Sequence, residues 1–477
     1  MNTAKQLSAR ERINALLDDN SFVEIGALVT KRNTDFNLSQ KEISSDGVVT
    51  GYGIIDGNPV YVYSQDSSAG NGTIGEMHAK KIITLYDLAL KVGAPVIGLI
   101  DSAGLRLQEA TDALNGLGEI YLKQTMASGV IPQITAILGP CGGGLAVLSA
   151  LSDFSFIAEE KGKLFVNSPN ALNKNFTAKC DTSSAKFQAE NGNVDFVCED
   201  ESAVIEAIRE LVALLPASNE DDASYDECFD DLNRLIPAEV FSDKDTSAIL
   251  KEVSDDKYFL EAKTSYAKEM VTGFLRLNGM TIGAIANRRA VKNEEGEILF
   301  EHNGTLTTKG CLKAERFVRF CDAFHIPVLS LTDTEGFQTE VMEEATVAAS
   351  IAKLTYAFSS STVPKVNLII GKAYGSAYLT MNSKHLGADM VFALEKASVG
   401  MMDENEAVSI IYDNEPVDLK EKALEYRELQ ASAVSAAKRG YVDAVIDECS
   451  ARKHLIYAFE MLFTKSVPAG NKKRGTV

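Results

Sequence analysis

The sequence has little of what metal chemistry, membrane insertion or nucleic-acid binding would need. Its seven cysteines, Cys141, Cys180, Cys198, Cys228, Cys311, Cys321 and Cys449, are scattered and form no CxxC pair. That excludes the usual zinc-finger spacing and points to free thiols in a reducing compartment. The five histidines, His78, His302, His325, His385 and His454, show no HExxH or similar ligand spacing, so no metal is expected. Apolar runs are short: Ala94–Ile100, interrupted by Gly and Pro, falls well below the roughly 20 residues of a membrane span. The start, Met1-Asn2-Thr3-Ala4-Lys5-Gln6, leads into a charged Arg10-Glu11-Arg12 stretch rather than an apolar signal-peptide core. A cytoplasmic protein is expected. Basic residues are clustered only at Lys472-Lys473-Arg474, which reads as a solvated terminus. With a formal charge of −20, that argues against a nucleic-acid partner.

What is present is the composition of a soluble globular protein, 45% hydrophobic and 24% charged. A length of 477 residues exceeds one ordinary core and implies two domains or a large duplicated one.

Internal similarity decides between them. Ala94-Pro95-Val96-Ile97-Gly98-Leu99-Ile100-Asp101-Ser102-Ala103-Gly104 recurs as Ile326-Pro327-Val328-Leu329-Ser330-Leu331-Thr332-Asp333-Thr334-Glu335-Gly336. One constant offset relates Pro95 to Pro327, Pro132 to Pro364, Gly139 to Gly371 and Gly143 to Gly375. Earlier blocks match at slightly different offsets, Val49-Thr50-Gly51-Tyr52 with Val271-Thr272-Gly273-Phe274 and Asp56-Gly57 with Asn278-Gly279. The chain is a duplication. A helical pattern over 203–215 ends at Pro216, and a polar, acidic stretch follows. Residues 1–216 are therefore expected to be the first copy, 217–237 a linker and 238–477 the second copy.

Each copy alternates short β-branched runs (60–63, 96–100, 134–138) with helical patterns (77–92, 114–128, 312–324, 343–358), which implies α/β layers with largely parallel pairing. Two strand-to-helix junctions in the first copy could carry chemistry: Asp101-Ser102-Ala103-Gly104-Leu105-Arg106 and Gly139-Pro140-Cys141-Gly142-Gly143-Gly144-Leu145. Three consecutive glycines before an apolar helix (145–151) let backbone N–H groups approach a developing oxyanion. One such donor contributes about 3–4 kcal/mol to a transition state. A lone GGG would more often serve a tight turn. The second copy, however, places Gly371-Lys372-Ala373-Tyr374-Gly375-Ser376-Ala377 at the equivalent position. No carboxylate lies between Gly142 and Leu151, and Ser149 and Ser152 have no triad partner at a telling spacing, so Ser149 reads as structural.

These junctions resemble the crotonase superfold, in which an AGxxxxE-like turn (Ala103 to Glu109 here) and a GGG turn share one thioester oxyanion hole. The resemblance is closer still to biotin-dependent acyl-CoA carboxyltransferases, the subunits of propionyl-CoA carboxylase and of sodium-pumping methylmalonyl-CoA decarboxylase. It is carried by Ala9-Arg10-Glu11-Arg12-Ile13, Gly47-Val48-Val49-Thr50-Gly51-Tyr52-Gly53, Gly75-Glu76-Met77-His78-Ala79-Lys80-Lys81-Ile82, Ala127-Ser128-Gly129-Val130-Ile131-Pro132-Gln133-Ile134 and the stretches 316–324 and 372–386. It implies two tandem crotonase-like domains, the first for acyl-CoA and the second for biotin, with active sites shared between subunits of a trimer of dimers. Carried over, Ala103, Gly143 and Gly144 would stabilise the thioester enolate, and Ser376 and Ala377 would hold the biotin ureido oxygen. Gly104, Gly142 and Leu379 would line the substrate pocket, with Gly336 and Gly375 on the biotin side. Biotin would arrive on a separate carrier protein, because the chain has no Met-Lys-Met motif.

Three departures stand out from the family pattern: Ala103-Gly104-Leu105 in the first turn, a shortened 338–351 segment, and Leu379 in place of Asp. The last two lean towards the sodium-pumping decarboxylase, membrane-associated through its partner subunit. The alternative is the β subunit of an ATP-dependent propionyl-CoA or acetyl-CoA carboxylase, partnered by a biotin carboxylase. Two rivals differ in kind. A hydratase would need a Glu after the GGG turn, where Leu145-Ala146-Val147 stands. A non-catalytic CoA-binding assembly subunit would fit the departures at Ala103 and 338–351.

Overall fold

The computed structural model describes residues 7–32, 43, 45–221, 225–293, 295–413 and 415–467; the basic stretch at 472–474 lies outside them. The chain forms two compact units, Met1–Ser224 and Tyr225–Val477. The 217–237 stretch is divided between them. Asn219 N–H donates to the Val130 carbonyl (2.9 Å) in the first unit, while Ile236 N–H donates to the Cys449 carbonyl (3.1 Å) in the second.

The first unit is built on β1 (Val23–Ile25), β2 (Val48–Ile55), β3 (Asn58–Gln65), β4 (Val96–Ser102), β5 (Gln133–Gly142), β6 (Phe154–Ala158), β7 (Lys163–Phe165) and β8 (Phe196–Cys198). They form one sheet in the order β1-β2-β3-β4-β5-β6-β8, with β7 also on β5. β1 to β3 are antiparallel and the rest parallel.

The second unit begins with β9 (Phe259–Ala262), β10 (Met270–Leu277) and β11 (Met280–Asn287), and two short pairs follow. One pair is β12 (Ala290–Lys292) with β13 (Ile298–Glu301); the other joins β14 (Thr305–Leu306) to β16 (Gly336–Phe337). Its main sheet adds β15 (Val328–Thr334), β17 (Lys365–Tyr374), β18 (Met390–Leu394), β19 (Ser398–Gly400) and β20 (Ala444–Ile446), in the order β9-β10-β11-β15-β17-β18-β20, with β19 on β17. The two sheets are organised alike, consistent with internal tandem duplication.

The likeness reaches individual residues. Asp56-Gly57 and Asn278-Gly279 both turn their hairpins with two left-handed residues, φ 47° and 86° in one and 51° and 78° in the other. This is the backbone that matches strand twist. The parallel register slips between Ile100 and Ser102 in β4 and between Thr332 and Thr334 in β15. At that slip an aspartate packs on a glycine of the next strand. A Cβ on Gly139 would stand 2.2 Å from Asp101 Oδ1, and one on Gly371 would stand 2.5 Å from Asp333 Oδ1. Gly139 and Gly371 are thus places where a carboxylate occupies the space of a side chain.

Helix Glu76–Val92 buries Ala79, Ile82, Leu85, Tyr86 and Ala89 on one face at i, i+3, i+4 spacing. It stops at Gly93, left-handed at φ 73°. Its counterpart Thr308–Ala323 is capped by Thr307, whose side chain accepts the Gly310 N–H. Both helices carry a buried lysine at the same offset. Lys81 Nζ donates to the Val48 carbonyl (2.5 Å), and Lys313 Nζ donates to the Lys263 and Tyr266 carbonyls (both 2.9 Å). Each lysine clasps a loop of left-handed residues, Ser45 and Asp46 in one copy and Lys263 and Ala267 in the other. Burial lowers the Lys81 ammonium to about 8. Among the described residues no helix is long and apolar enough to cross a membrane.

Candidate active site

In the first unit β4 runs into the 103–106 loop, and a buried ion cluster fixes it there. Arg106 is 5% exposed. Its Nη1 bridges Asp46 Oδ1 (2.5 Å) and Glu109 Oε1 (2.8 Å), and its Nη2 donates to the Thr73 carbonyl (2.8 Å). Glu109 also accepts the Glu76 N–H at the start of helix Glu76–Val92 (2.5 Å). The glutamate closing the AGxxxxE-like turn is therefore a clasp between loop and helix. Asp46 additionally accepts the His78 N–H (2.8 Å). Burial drives the His78 imidazole down to about 3, and its Nδ1 lies 3.0 Å from the Asp46 carbonyl.

β5 ends at Gly142, packed so closely under Phe165 that a Cβ would sit 2.7 Å from the ring. Gly143 turns the chain at φ 64°, and the space its Cβ would take is open. Gly144 follows at φ −60°; its carbonyl accepts the Tyr121 hydroxyl (2.5 Å), and a Cβ would meet Leu117 Cδ2 at 2.6 Å. Helix Leu145–Leu151 starts immediately afterwards.

The three donors read from the sequence are not equivalent here. Ala103 N–H donates to the Asn71 carbonyl (3.0 Å) and Gly143 N–H to the Phe165 carbonyl (2.9 Å), so the fold already uses both. Gly104, at φ 108°, donates its N–H to Ser102 Oγ (3.2 Å). Gly144 N–H has no acceptor among the described residues, and Leu145 N–H stands beside it at the first helical position, where no intrahelical acceptor exists. The nearby carboxylates are committed, Asp101 to Arg12 (3.0 Å) and Ser67 (3.0 Å) and Glu109 as above. Ser149 is buried on that helix, and its hydroxyl has no hydrogen-bond partner. Among the described residues the turn thus offers backbone donors without a side-chain base.

Beyond Phe165 opens a cleft of about 810 Å³, whose walls include Lys163, Lys179, Asn170 and Asn175. Asp181 also lines it and pairs with Lys163 (2.9 Å), so the walls carry two lysines against one carboxylate.

The second unit repeats the turn with different dressing. Gly336 follows Glu335 in positive φ, and the Gly336–Phe337 strand packs beside helix Gly375–Thr380. Gly375 opens that helix at φ 58°, with the Met401 carbonyl 3.2 Å from where its Cβ would be. Ser376 is exposed and Ala377 buried, and both lie in the first turn, where N–H groups lack intrahelical acceptors. Leu379 is half-exposed on the same helix, as Val147 is at the matching position of the first unit.

The sequence reading missed the charges around this second turn. Arg289 forks onto Asp333, Nε to Oδ2 (2.5 Å) and Nη2 to Oδ1 (3.0 Å), and Asp333 Oδ1 also accepts the Lys372 N–H (2.8 Å). Glu335 Oε1 receives both Arg289 Nη1 (2.8 Å) and Lys372 Nζ (3.1 Å). Burial pushes the Glu335 carboxyl up, but Arg289 and Lys372 outweigh it and hold it below the usual carboxylate range. The constant offset could have found them, since Glu335 stands where the first copy has Ala103, and Lys372 where it has Pro140. Among the described residues no His, Cys, Asp and Glu cluster suited to a metal is gathered.

The chain resembles known proteins over nearly its whole length. Residues 2–477 match the family model described as the carboxyl transferase domain. The chain is 39% identical to the methylmalonyl-CoA decarboxylase subunit alpha of Propionigenium modestum, over 99% of this chain and 93% of that one. It is 40% identical to a putative propionyl-CoA carboxylase beta chain of Bacillus subtilis, over 99% and 94%. A solved structure of transcarboxylase 12S, described as a hexamer with hydrolysed methylmalonyl-coenzyme A bound, superposes with a TM-score of 0.91 at 35% identity, over 99% of this chain and 92% of that one.

Proposed function

The chain belongs to the carboxyl transferase family of biotin-dependent enzymes, and from that premise we propose that it is the carboxyltransferase subunit of a propionyl-CoA carboxylase. In this reading it moves a carboxyl group between biotin on a separate carrier protein and the α-carbon of a short acyl-CoA. One observation carries the reading: the same small-residue turn stands at the same register position of two duplicated sheets, with a backbone donor at Gly144 that is unengaged, and no side-chain base beside it, among the described residues.

Each unit would then be a crotonase-type domain. In the first, the cleft beyond Phe165 takes coenzyme A, with Lys163 and Lys179 facing its phosphates. Gly144 and Leu145 N–H hold the thioester oxygen as it gains enolate charge, and Gly104 and Gly142 shape the pocket. This refines the donor set expected from the sequence, because Ala103 and Gly143 N–H groups are spent on Asn71 and Phe165. In the second unit the unengaged first-turn N–H groups of Ser376 and Ala377 fit a ureido oxygen, and Gly336 and Gly375 leave room for the ring. Bound there, biotin supplies the carboxyl group and a ureido nitrogen able to take the α-proton, which accounts for the missing base. We propose further that the protein forms a hexamer, the assembly described for transcarboxylase 12S, and that first and second units of different copies share each site.

The second reading, favoured by the Propionigenium modestum relative, is the alpha subunit of a methylmalonyl-CoA decarboxylase. The lean towards it from Leu379 and the 338–351 segment is balanced by several propionyl-CoA carboxylase beta chains at 38–40% identity. The protein should be combined with a biotin carboxylase and carrier, ATP, bicarbonate and propionyl-CoA. ATP-dependent formation of methylmalonyl-CoA supports the carboxylase. No carboxylation, together with sodium-dependent loss of carbon dioxide from methylmalonyl-CoA beside a membrane partner, supports the decarboxylase instead.

A further inference from the structure

The duplication supplies its own control for the charges around the second turn. In both units the last residue of a hairpin strand, Gln65 or Asn287, accepts the N–H of the slip aspartate, Asp101 or Asp333. Two positions on, Ser67 donates to Asp101 in the first unit, and Arg289 forks onto Asp333 in the second. The first unit completes this corner with uncharged Ala103 and Pro140; the second completes it with Glu335 and Lys372. Each slip aspartate thus carries one arginine, Arg12 on Asp101 (3.0 Å) and Arg289 on Asp333, and the second unit adds the pair Glu335 and Lys372 at the mouth of its turn. Holding the fold does not require Glu335 and Lys372, since the first copy holds it with Ala103 and Pro140 there.

The four groups are not bound equally. Asp333 and Arg289 form a two-pronged pair with side chains 17% and 21% exposed. Lys372 and Glu335 are 41% and 37% exposed, and Lys372 holds Glu335 through one contact of 3.1 Å. Its Nζ also stands over the Tyr374 ring, 5.9 Å from the ring centre, and its charge helps hold the Asp403 carboxyl below the usual range. An exposed single-contact ion pair of this kind is weak and is readily exchanged for another carboxylate. Lys372 stands three residues before Gly375, and Glu335 immediately precedes Gly336, so the exchangeable pair borders the turn assigned to biotin.

We infer that Lys372 is the cation that takes the carboxylate of the carboxylated cofactor, and that Glu335 is its displaceable placeholder. Arg289, locked on Asp333, keeps Glu335 within reach so that Lys372 is neutralised when the site is empty. On arrival the cofactor carboxylate replaces Glu335 on Nζ, and Glu335 stays on Arg289; no covalent bond changes. The inference rests on the assignment of biotin to the second unit.

The test is binding to the full-length protein without acyl-CoA, so that no turnover occurs. Calorimetric Kd values are measured for free biotin and for freshly prepared free carboxybiotin. Lys372→Met should weaken carboxybiotin about tenfold, which is about 1.4 kcal/mol, while the biotin Kd changes less than twofold. Lys372→Arg should keep most of the carboxybiotin affinity, and Glu335→Gln should tighten it about two- to fourfold by removing the competitor. Unchanged carboxybiotin binding in a folded Lys372→Met protein overturns the inference alone, as does equal weakening of both ligands, which would mean Lys372 only shapes the turn. A wild-type protein that binds neither ligand overturns the biotin assignment and the inference with it.

Discussion

Gly144 allows the proposed oxyanion donor to be removed without removing a side chain. Its φ of −60° is what proline requires, and its N–H makes no hydrogen bond in the fold, so Gly144→Pro deletes only the donor and adds a ring. The added Cβ meets Leu117 Cδ2 at 2.6 Å and Tyr121 Oη at 2.9 Å, and this overpacking costs about 1–3 kcal/mol of stability. Gly144→Ala carries the same Cβ and keeps the N–H, so the ratio of the two variants isolates the donor. Loss of one such donor lowers kcat about 10²–10³-fold, or about 3–4 kcal/mol. In steady-state carboxyl transfer, with folding checked by circular dichroism, the proline variant should fall at least about a hundredfold below the alanine variant. Equal kcat values in two folded proteins would refute the donor role of Gly144.

Two further predictions concern groups that should not act chemically. Ser149→Ala removes a buried hydroxyl that has no partner and improves helix propensity, so thermal unfolding should show stabilisation of about 1 kcal/mol with unchanged kcat; a large fall in kcat would restore Ser149 to the site. His78, lowered by burial to about 3, stays neutral in the fold while the unfolded chain protonates it below its ordinary 6.5. Its contribution is complete above pH 6.5 and is lost as pH falls, by about 2 kcal/mol between pH 6.5 and 5. The raised Asp46 carboxyl, pushed up by burial against the pull of Arg106, offsets part of this. Urea unfolding should show a shallower acid slope for His78→Gln than for wild type; identical slopes would exclude this origin.

Much of the fold was legible because duplication turns single residues into pairs. Pro95 and Pro327 precede equivalent strands, and Gly139 and Gly371 pack under equivalent aspartates, so the register of two sheets is written in the sequence. The Asp56-Gly57 and Asn278-Gly279 turns carried a hairpin signal as well. The site was legible as a place and less so as a set of atoms. Whether a backbone N–H is free depends on a distant carbonyl, Asn71 for Ala103 and Phe165 for Gly143, and residue type carries no trace of that. Lys81 and Lys313 drew no reading from the sequence, yet they bury their ammonium groups against carbonyls of loops rich in left-handed residues. Glu109 fell at a motif position that suggests chemistry, but its oxygens are taken by Arg106 and the Glu76 N–H.

The most direct test of carboxyl transfer uses methylmalonyl-CoA labelled with ¹⁴C in its free carboxyl group, free biotin and the full-length protein, without ATP. The account predicts that label moves to an acid-labile adduct of biotin in step with propionyl-CoA formation, and that Gly144→Pro nearly abolishes the movement. Label that stays on coenzyme A, while the folded protein binds both ligands, would contradict it.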